Sequence, residues 1–341
     1  MKPVIICGGV GAKMWPMSRN TMPKHFLPLL NKKSLFQLNW EALRLKFQPE
    51  EIFLQTNAVQ AEIAQKQVPE ILPENVFIEP EMRNQGPATG FAAAMLFKKF
   101  PDEPFMLVQA DVLREPDEKF IEMIEQFDEL IRKEGKIVTG GIKPEFALMG
   151  VDYLKVNQAT HLMEEWLGRG EKEVIEGYLA SGDALIHTNH YAWTPRKLLE
   201  CLKVRKPEWY EPLMNIINGE DIPTEYAKMP KGPIEEVTQF ELKDGYVIEL
   251  PFEWIDFGTW ESVVNYLEKK VLNEIDDDKM EIDSNNNYIY KKDNKFIATV
   301  GVENLVIVDT GDALLIAKRD QSGKVGQIVD ALKEQNKNEL L

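Results

Sequence analysis

Short apolar runs alternate with amphipathic stretches through the first 150 residues. Val4-Ile5-Ile6-Cys7 is a continuous apolar run of strand length, and residues 51–56, 76–79, 105–108 and 136–142 repeat that signature. Helices are predicted between them. One runs from a Ser34 cap to about residue 47, with Leu35, Leu38, Leu43 and Phe47 forming an approximate stripe. Others cover 58–67 and, behind Pro87, a small-residue segment at 88–100. Phe120, Met123, Ile124, Phe127, Leu130 and Ile131 follow i, i+3/4, i+7 spacing and mark a further helix. The alternation predicts an α/β fold, a mostly parallel twisted sheet flanked by helices. Ligands of such sheets collect at the C-terminal ends of the strands.

Beyond residue 150 the regularity weakens. Strands are predicted at 152–156, 183–193 and 245–250, and helices at 171–181, 195–203 and from Trp260 to about 272. Residues 274–287 are acidic and Asn-rich and read as an exposed connection. Four short apolar segments follow, at 288–290, 296–298, 305–308 and 313–316, with Gly, Asn and Asp between them, before a closing helix at 327–334. This divides the chain into 1–275 and a small β-rich unit, 276–341, a candidate for oligomerisation as a homodimer.

Composition adds exclusions. The 341 residues are 44% apolar and 28% charged, ordinary for a globular protein. Apolar runs stay well short of the roughly 18 residues of a membrane span, and glycines follow Met1-Lys2 too soon for a signal peptide. Cys7 and Cys201 offer neither a disulfide framework nor metal-ligand spacing, so a reducing, cytoplasmic setting is expected.

Charge directs attention to the N-terminus. Residues 1–49 hold eight Lys/Arg against Glu41 alone, a local +7 in a chain whose 40 Lys/Arg and 56 Asp/Glu sum to −16. Within that stretch lies Gly8-Gly9-Val10-Gly11-Ala12-Lys13-Met14-Trp15-Pro16, directly after the first apolar run. Glycines at 8, 9 and 11 permit a sharp turn and leave backbone N–H groups uncovered, a concavity suited to phosphate. A small polyanion, not a nucleic acid, is the partner this implies. A tight turn without a ligand is the plainer alternative. Met14 stands where the dinucleotide fingerprint needs its third glycine, and the Gly-Lys-Ser/Thr of a P-loop is absent. Asp111 ends the run 105–108 at the ligand edge, where a carboxylate suits Mg²⁺ or caps a turn.

Gly-Gly-x-Gly-x-Lys-x-Trp-Pro-x-Ser-Arg, followed by Pro23-Lys24, resembles the signature of the sugar-phosphate nucleotidyltransferases, specifically the mannose-1-phosphate guanylyltransferases. The family usually has Arg at the position of Lys13. Trp254-x-Asp256-x-Gly258-x-Trp260 matches the family's second metal-binding Asp, and Val108-Gln109-Ala110-Asp111 the place of the first. The segment from Glu79 to Ala88 resembles Glu-Pro-x-x-Arg-Asn-Thr-Ala-Pro-Ala, which implies base contacts from Arg83 and Asn84 and favours guanine. Pro144, Gly150 and Tyr153 survive from a sugar-side segment in which Asp152 replaces a glycine. Glu164 aligns with the Glu of Phe-x-Glu-Lys-Pro, while Glu165 replaces its Lys. Ile186-His187-Thr188-Asn189-His190-Tyr191 corresponds to Trp-Asn-Ser-Gly-Met-Phe, which puts His187 where the sugar-binding Asn stands.

The resemblance implies a Rossmann-like nucleotide-diphospho-sugar transferase domain without the isomerase domain of longer relatives. It implies transfer of GMP from GTP to a sugar 1-phosphate, mannose 1-phosphate first, with Mg²⁺ (or Mn²⁺) on Asp111 and Asp256. Lys13 and Lys24 would be catalytic, and Gly8, Gly9 and Gly11 would hold phosphates. The alternatives are a non-catalytic nucleotide-sugar-binding homologue and a transferase for another sugar 1-phosphate.

Overall fold

The computed structural model describes residues 1–144, 146–270 and 279–341. The N-terminal half builds β1 (Lys2–Ile6), α1 (Leu35–Arg44), β2 (Phe53–Thr56), α2 (Ala58–Gln67), β3 (Val76–Ile78), α3 (Gln85–Phe97), β4 (Phe105–Gln109), β5 (Val112–Glu115), α4 (Asp117–Glu134) and β6 (Val138–Ile142). Then come β7 (Tyr153–Val156), β8 (Met163–Gly168), α5 (Lys172–Ser181), β9 (Ala184–Trp193), α6 (Pro195–Arg205), α7 (Pro207–Ile217), α8 (Ile222–Lys228), α9 (Glu235–Glu241), β10 (Tyr246–Glu249), β11 (Glu253–Asp256) and α10 (Trp260–Lys269). The C-terminal unit holds β12 (Lys279–Ile282), β13 (Tyr288–Lys291), β14 (Ile297–Val300), β15 (Leu305–Asp309), β16 (Leu314–Lys318) and α11 (Val325–Glu334).

The main sheet runs β10-β6-β9-β4-β1-β2-β3, with β7 and β8 added beside β9. Pairs β1–β2, β1–β4, β2–β3 and β6–β10 are parallel, and β9 is antiparallel to both β4 and β6. Alternation along β1 explains why a continuous apolar run was needed. Val4 packs with Phe53, Phe91, Phe105 and Trp209 on one face, and Ile5 with Phe36, Trp40, Val108 and Phe120 on the other. Ser34 starts α1 with a reciprocal cap: its Oγ accepts from Gln37 N at 3.1 Å, and Gln37 Oε1 accepts from Ser34 N at 3.0 Å.

Sequence periodicity missed β5, β8 and the helices between 207 and 241. The reading of 274–287 as a connection needs correction: residues 279–282 are strand β12, paired in parallel with β14. The expected boundary at 275 and the end of a helix at about 272 lie outside the described residues. In the C-terminal unit β12 pairs with β14 and β13 with β15, both parallel, so each strand stacks on the next but one, as in a coil. Its core is shared with the N-terminal loop, since Met14, Trp15 and Met17 cluster with Phe257, Trp260, Val306, Val308, Val325 and Val329.

Candidate active site

The glycine loop leaves the C-terminal end of β1 with Gly9 at φ 69° and Gly11 at φ 78°. At Gly11 a second constraint applies, because a Cβ there would lie 2.5 Å from Lys24 Cγ. Only glycine both turns this corner and lets the lysine stem cross it. Lys24 Nζ then reaches Asp111 Oδ2 at 2.7 Å. Behind the loop, Gln60 Oε1 accepts from Thr56 Oγ1 at 2.9 Å and from His25 Nε2 at 3.2 Å, which turns its Nε2–H₂ toward the Gly9 carbonyl at 3.4 Å. His25 is therefore neutral with its proton on Nε2, and burial holds its pKa at about 4. Lys13 is exposed in the short turn Ala12–Met14, its Cγ 3.6 Å from where a side chain on Gly326 would begin.

Asp111 and Asp256 are brought together by a ribbon that sequence periodicity did not reveal. Strands β5 and β11 pair antiparallel with Asp256 opposite Val112, one residue from Asp111. Burial works against the Asp111 charge, but the charge and hydrogen bond of Lys24 outweigh it and hold the carboxyl below its ordinary value. Asp256 is exposed on the cleft, yet the surrounding protein raises its carboxyl; Lys24 and Lys13 oppose that shift and Asp111 adds to it. Mutual influence of this kind places the two carboxylates and two lysines in one electrostatic neighbourhood. Among the described residues no group of three or more His, Cys, Asp or Glu converges on a metal position. Two carboxylates fit Mg²⁺, which takes one or two of them and completes its shell with phosphate oxygens and water.

Arg114, 3% exposed, holds the turn that carries Asp111. Its guanidinium donates to Asn39 Oδ1 at 2.7 Å, Gln109 Oε1 at 2.7 Å, the Val112 carbonyl at 3.2 Å and His190 Nε2 at 2.8 Å. Thr188 gives its own proton to the Gly140 carbonyl, so it accepts from His190 Nδ1 at 2.9 Å and leaves Nε2 as the acceptor for Arg114. Sequence reasoning overlooked this residue; the signal was a lone cation directly after the apolar pair Val112-Leu113.

On the base side Arg83 is engaged within the chain, with Glu81 Oε1 at 2.7 Å and with the Met229 carbonyl. Asn84, at φ 71°, caps α3 through Oδ1, which accepts from Gln85 N at 2.7 Å. That cap uses Oδ1 and not the Nδ2–H₂ group.

The sugar-side expectations scatter. Gly150 is exposed at φ 80°. Glu164 lies on the outer face of β8, accepting from Asn157 at 3.1 Å with Lys155 at 3.5 Å. His187 is 7% exposed, bonded to Thr139 Oγ1 at 3.1 Å and packed between the rings of Trp166 and Tyr191. Burial lowers its pKa to about 3, so it is a neutral packing residue here. The register between β6 and β9 shifts opposite residues 188–190, and Asn189 turns outward there at φ 58°.

The C-terminal unit closes over the loop. Trp15 Nε1 donates to the Leu340 carbonyl at 2.9 Å, and Arg19, also bound to that carbonyl, pairs with Asp312 at 3.0 Å. Trp260 Nε1 donates to the Trp15 carbonyl at 3.0 Å.

Similarity to known proteins agrees with this layout. A nucleotidyl transferase family model matches residues 2–164, and a mannoseP isomerase/GMP-like beta-helix domain matches 277–332. A mannose-1-phosphate guanylyltransferase of Klebsiella pneumoniae is 30% identical across 99% of this chain and 75% of its own length. The xanthan biosynthesis protein XanB of Xanthomonas campestris is 28% identical across 99% of this chain and 74% of its own. The fold is shared with a Thermus thermophilus crystal structure described as a mannose-1-phosphate geranyltransferase, at a TM-score of 0.83 and 24% identity, covering 97% of this chain and 99% of that one. No described helix is long and apolar enough to cross a membrane. The chain is a nucleotidyltransferase and belongs to the mannose-1-phosphate guanylyltransferase family.

Proposed function

We propose that the protein transfers GMP from GTP to a sugar 1-phosphate, mannose 1-phosphate being the first candidate, to give GDP-mannose and pyrophosphate. The observation that carries this is the Lys24–Asp111 pair lying across Gly11, with Asp256 delivered to the same corner by the β5–β11 ribbon. The sugar-phosphate oxygen attacks the α-phosphorus while the bond to the pyrophosphate oxygen breaks. Uncovered N–H groups of the loop hold the phosphates, Lys13 neutralises the departing pyrophosphate, and Lys24 binds phosphate as a point charge. Asp111 and Asp256 would hold Mg²⁺ (or Mn²⁺), which when bound neutralises phosphate charge. Arg114 keeps the Asp111 turn rigid.

Burial of His187 and the Gly-to-Asn change at 189 favour a second reading, a transferase for a different sugar 1-phosphate. Pyrophosphate release from GTP, ATP, UTP and dTTP against a panel of sugar 1-phosphates tests both. GTP is expected to outrank the others. Equal or better use of UTP would overturn the guanine reading, and binding without release from any pair would indicate a non-catalytic homologue.

A further inference from the structure

Arg19 is one of the eight cations that make the N-terminal stretch positive, yet its guanidinium is committed to the C-terminal unit. One amino group donates to the Leu340 carbonyl and the other to Asp312, at 3.1 Å to Oδ1 and 3.0 Å to Oδ2. The guanidinium also lies 5.5 Å from the centre of a Trp15 ring, and Trp15 Nε1 donates to the same carbonyl at 2.9 Å. Thr310, in the turn between β15 and β16, donates its hydroxyl to Asp312 Oδ1 at 2.7 Å and fixes the carboxylate. The Arg19 side chain is left 13% exposed.

Two short backbone routes lead from Arg19 to the corner where Gly11, Lys24 and Asp111 meet. Upstream, Ser18 is buried and its Oγ donates to the Gly11 carbonyl at 2.7 Å. Downstream, Arg19 and Met22 exchange both backbone hydrogen bonds at 3.0 Å, closing a tight hairpin that delivers Pro23-Lys24. Lys24 N then donates to the Val10 carbonyl at 3.1 Å. The turn that carries Lys13 rests on the same C-terminal unit, since Met14 shares a core with Val325 and Val329. Residues 11–24 are thus cross-linked to one another, and Arg19 is the point at which the C-terminal unit grips them.

We infer that Arg19 is a positioning residue for the nucleotide, transmitting the grip of Asp312 and Leu340 to the glycine loop and Lys24 without touching phosphate itself. This rests on the proposed nucleotidyl transfer and gives residues 276–341 a part in it. Donors held in place before the phosphates arrive need no ordering on binding, so a loosened loop binds nucleotide less tightly.

The sign of one substitution separates this role from direct phosphate binding. If Arg19 met phosphate, Asp312→Asn would free it and leave GTP affinity equal or higher; for a positioning residue, affinity falls. The test measures calorimetric GTP affinity, KM and kcat, and hydrogen exchange in wild type, Asp312→Asn, Arg19→Gln, Arg19→Lys and the Arg19→Gln/Asp312→Asn pair. Asp312 is exposed, so its variant should keep the wild-type melting temperature within a few degrees. GTP should bind about two- to threefold more weakly to it, the scale of an exposed ion pair. Arg19→Gln should weaken GTP by about tenfold, in KM more than in kcat, and Arg19→Lys should recover part of that loss. Added to Arg19→Gln, Asp312→Asn should change nothing further. Amide exchange should rise across 8–18 in Asp312→Asn and Arg19→Gln and stay at the wild-type level in β4. Equal or higher GTP affinity in Asp312→Asn overturns the inference. So does unchanged exchange across 8–18 with a lowered melting temperature, which would make the clasp a link between the two units alone. A wild type that binds no nucleotide overturns the transferase reading instead; faster exchange across 8–18 in the variants would still sustain the tie, and unchanged exchange would overturn it.

Discussion

On the proposed function, the cleft has a nucleotide end and a sugar end, and the two are built in different ways. At the nucleotide end each group is tied to another by charge or by steric necessity: Lys24 to Asp111, Gly11 to the Lys24 stem, Gln60 to Gly9. At the sugar end the matching sequence positions are dispersed, with His187 inside and Glu164 outside. On that reading the difference follows from what each end would recognise. Phosphate neutralisation needs fixed charges at fixed places, and few residue types supply them. A hydroxyl is satisfied by almost any acceptor, so that end can exchange one polar residue for another while its backbone stays in place.

Three measurements can break or sharpen this contrast. Asp111→Asn and Asp256→Asn carry the largest expected effect, a fall in pyrophosphate release of roughly 10²-fold or more at saturating Mg²⁺, with a small change in melting temperature. Near-wild-type turnover in either variant would remove that carboxylate from the rigid end. Next is Lys13. Because it keeps the charge without the planar fork of arginine, Lys13→Arg should preserve or raise activity, and Lys13→Ala should lower turnover by about tenfold or more with less effect on GTP affinity. An active protein indifferent to Lys13→Ala would show that the loop amides and Lys24 suffice.

The third measurement uses the buried histidines, His25 at the nucleotide end and His187 and His190 at the sugar end. Below about pH 6.5 the unfolded chain takes up protons at these sites. The folded chain refuses them until about pH 4 at His25 and about pH 3 at His187, and burial likewise holds His190 well below its ordinary value. More protons on the unfolded side means that stability falls as pH drops from 6.5, by up to about 1.4 kcal/mol per pH unit for each histidine. Denaturant titrations at pH 7, 6 and 5 should show this slope, reduced by one histidine's share in His187→Gln. Hydrogen exchange should rise first in 184–193, where two of the three residues sit; simultaneous loosening of 21–27 would contradict the contrast.

Much of the rigid end was legible in the sequence because local chemistry determined it. Lys24 and the Trp254–Trp260 motif were picked out by their resemblance to the family signature, whereas the apolar run before Gly8 and the three glycines sit in a short segment whose own residue types require one backbone. The cap at Ser34 and the α4 stripe were visible for the same reason. What stayed hidden depends on distant partners. Strand β5 has four residues and a buried cation, so its periodicity is broken by Arg114, whose acceptors come from α1, β4 and β9. Helix α9 has seven residues and begins Glu-Glu, which reads as a solvated surface until Tyr191 is found against Thr238. The role expected of His187 came from alignment with an asparagine, and ring packing against Trp166 and Tyr191 supplies a different one.

The clasp of Trp15 and Arg19 on Leu340 and Asp312 also bears on the order in which the molecule is assembled. Its contacts bridge sequence separations of 293 and 325 residues, among the longest the chain contains. During synthesis the strands of the main sheet emerge and can pair while the glycine loop still lacks the groups that brace it. The turn that is made first is thus the one finished last. A nascent chain can therefore carry most of its sheet before the glycine loop is braced by the C-terminal unit.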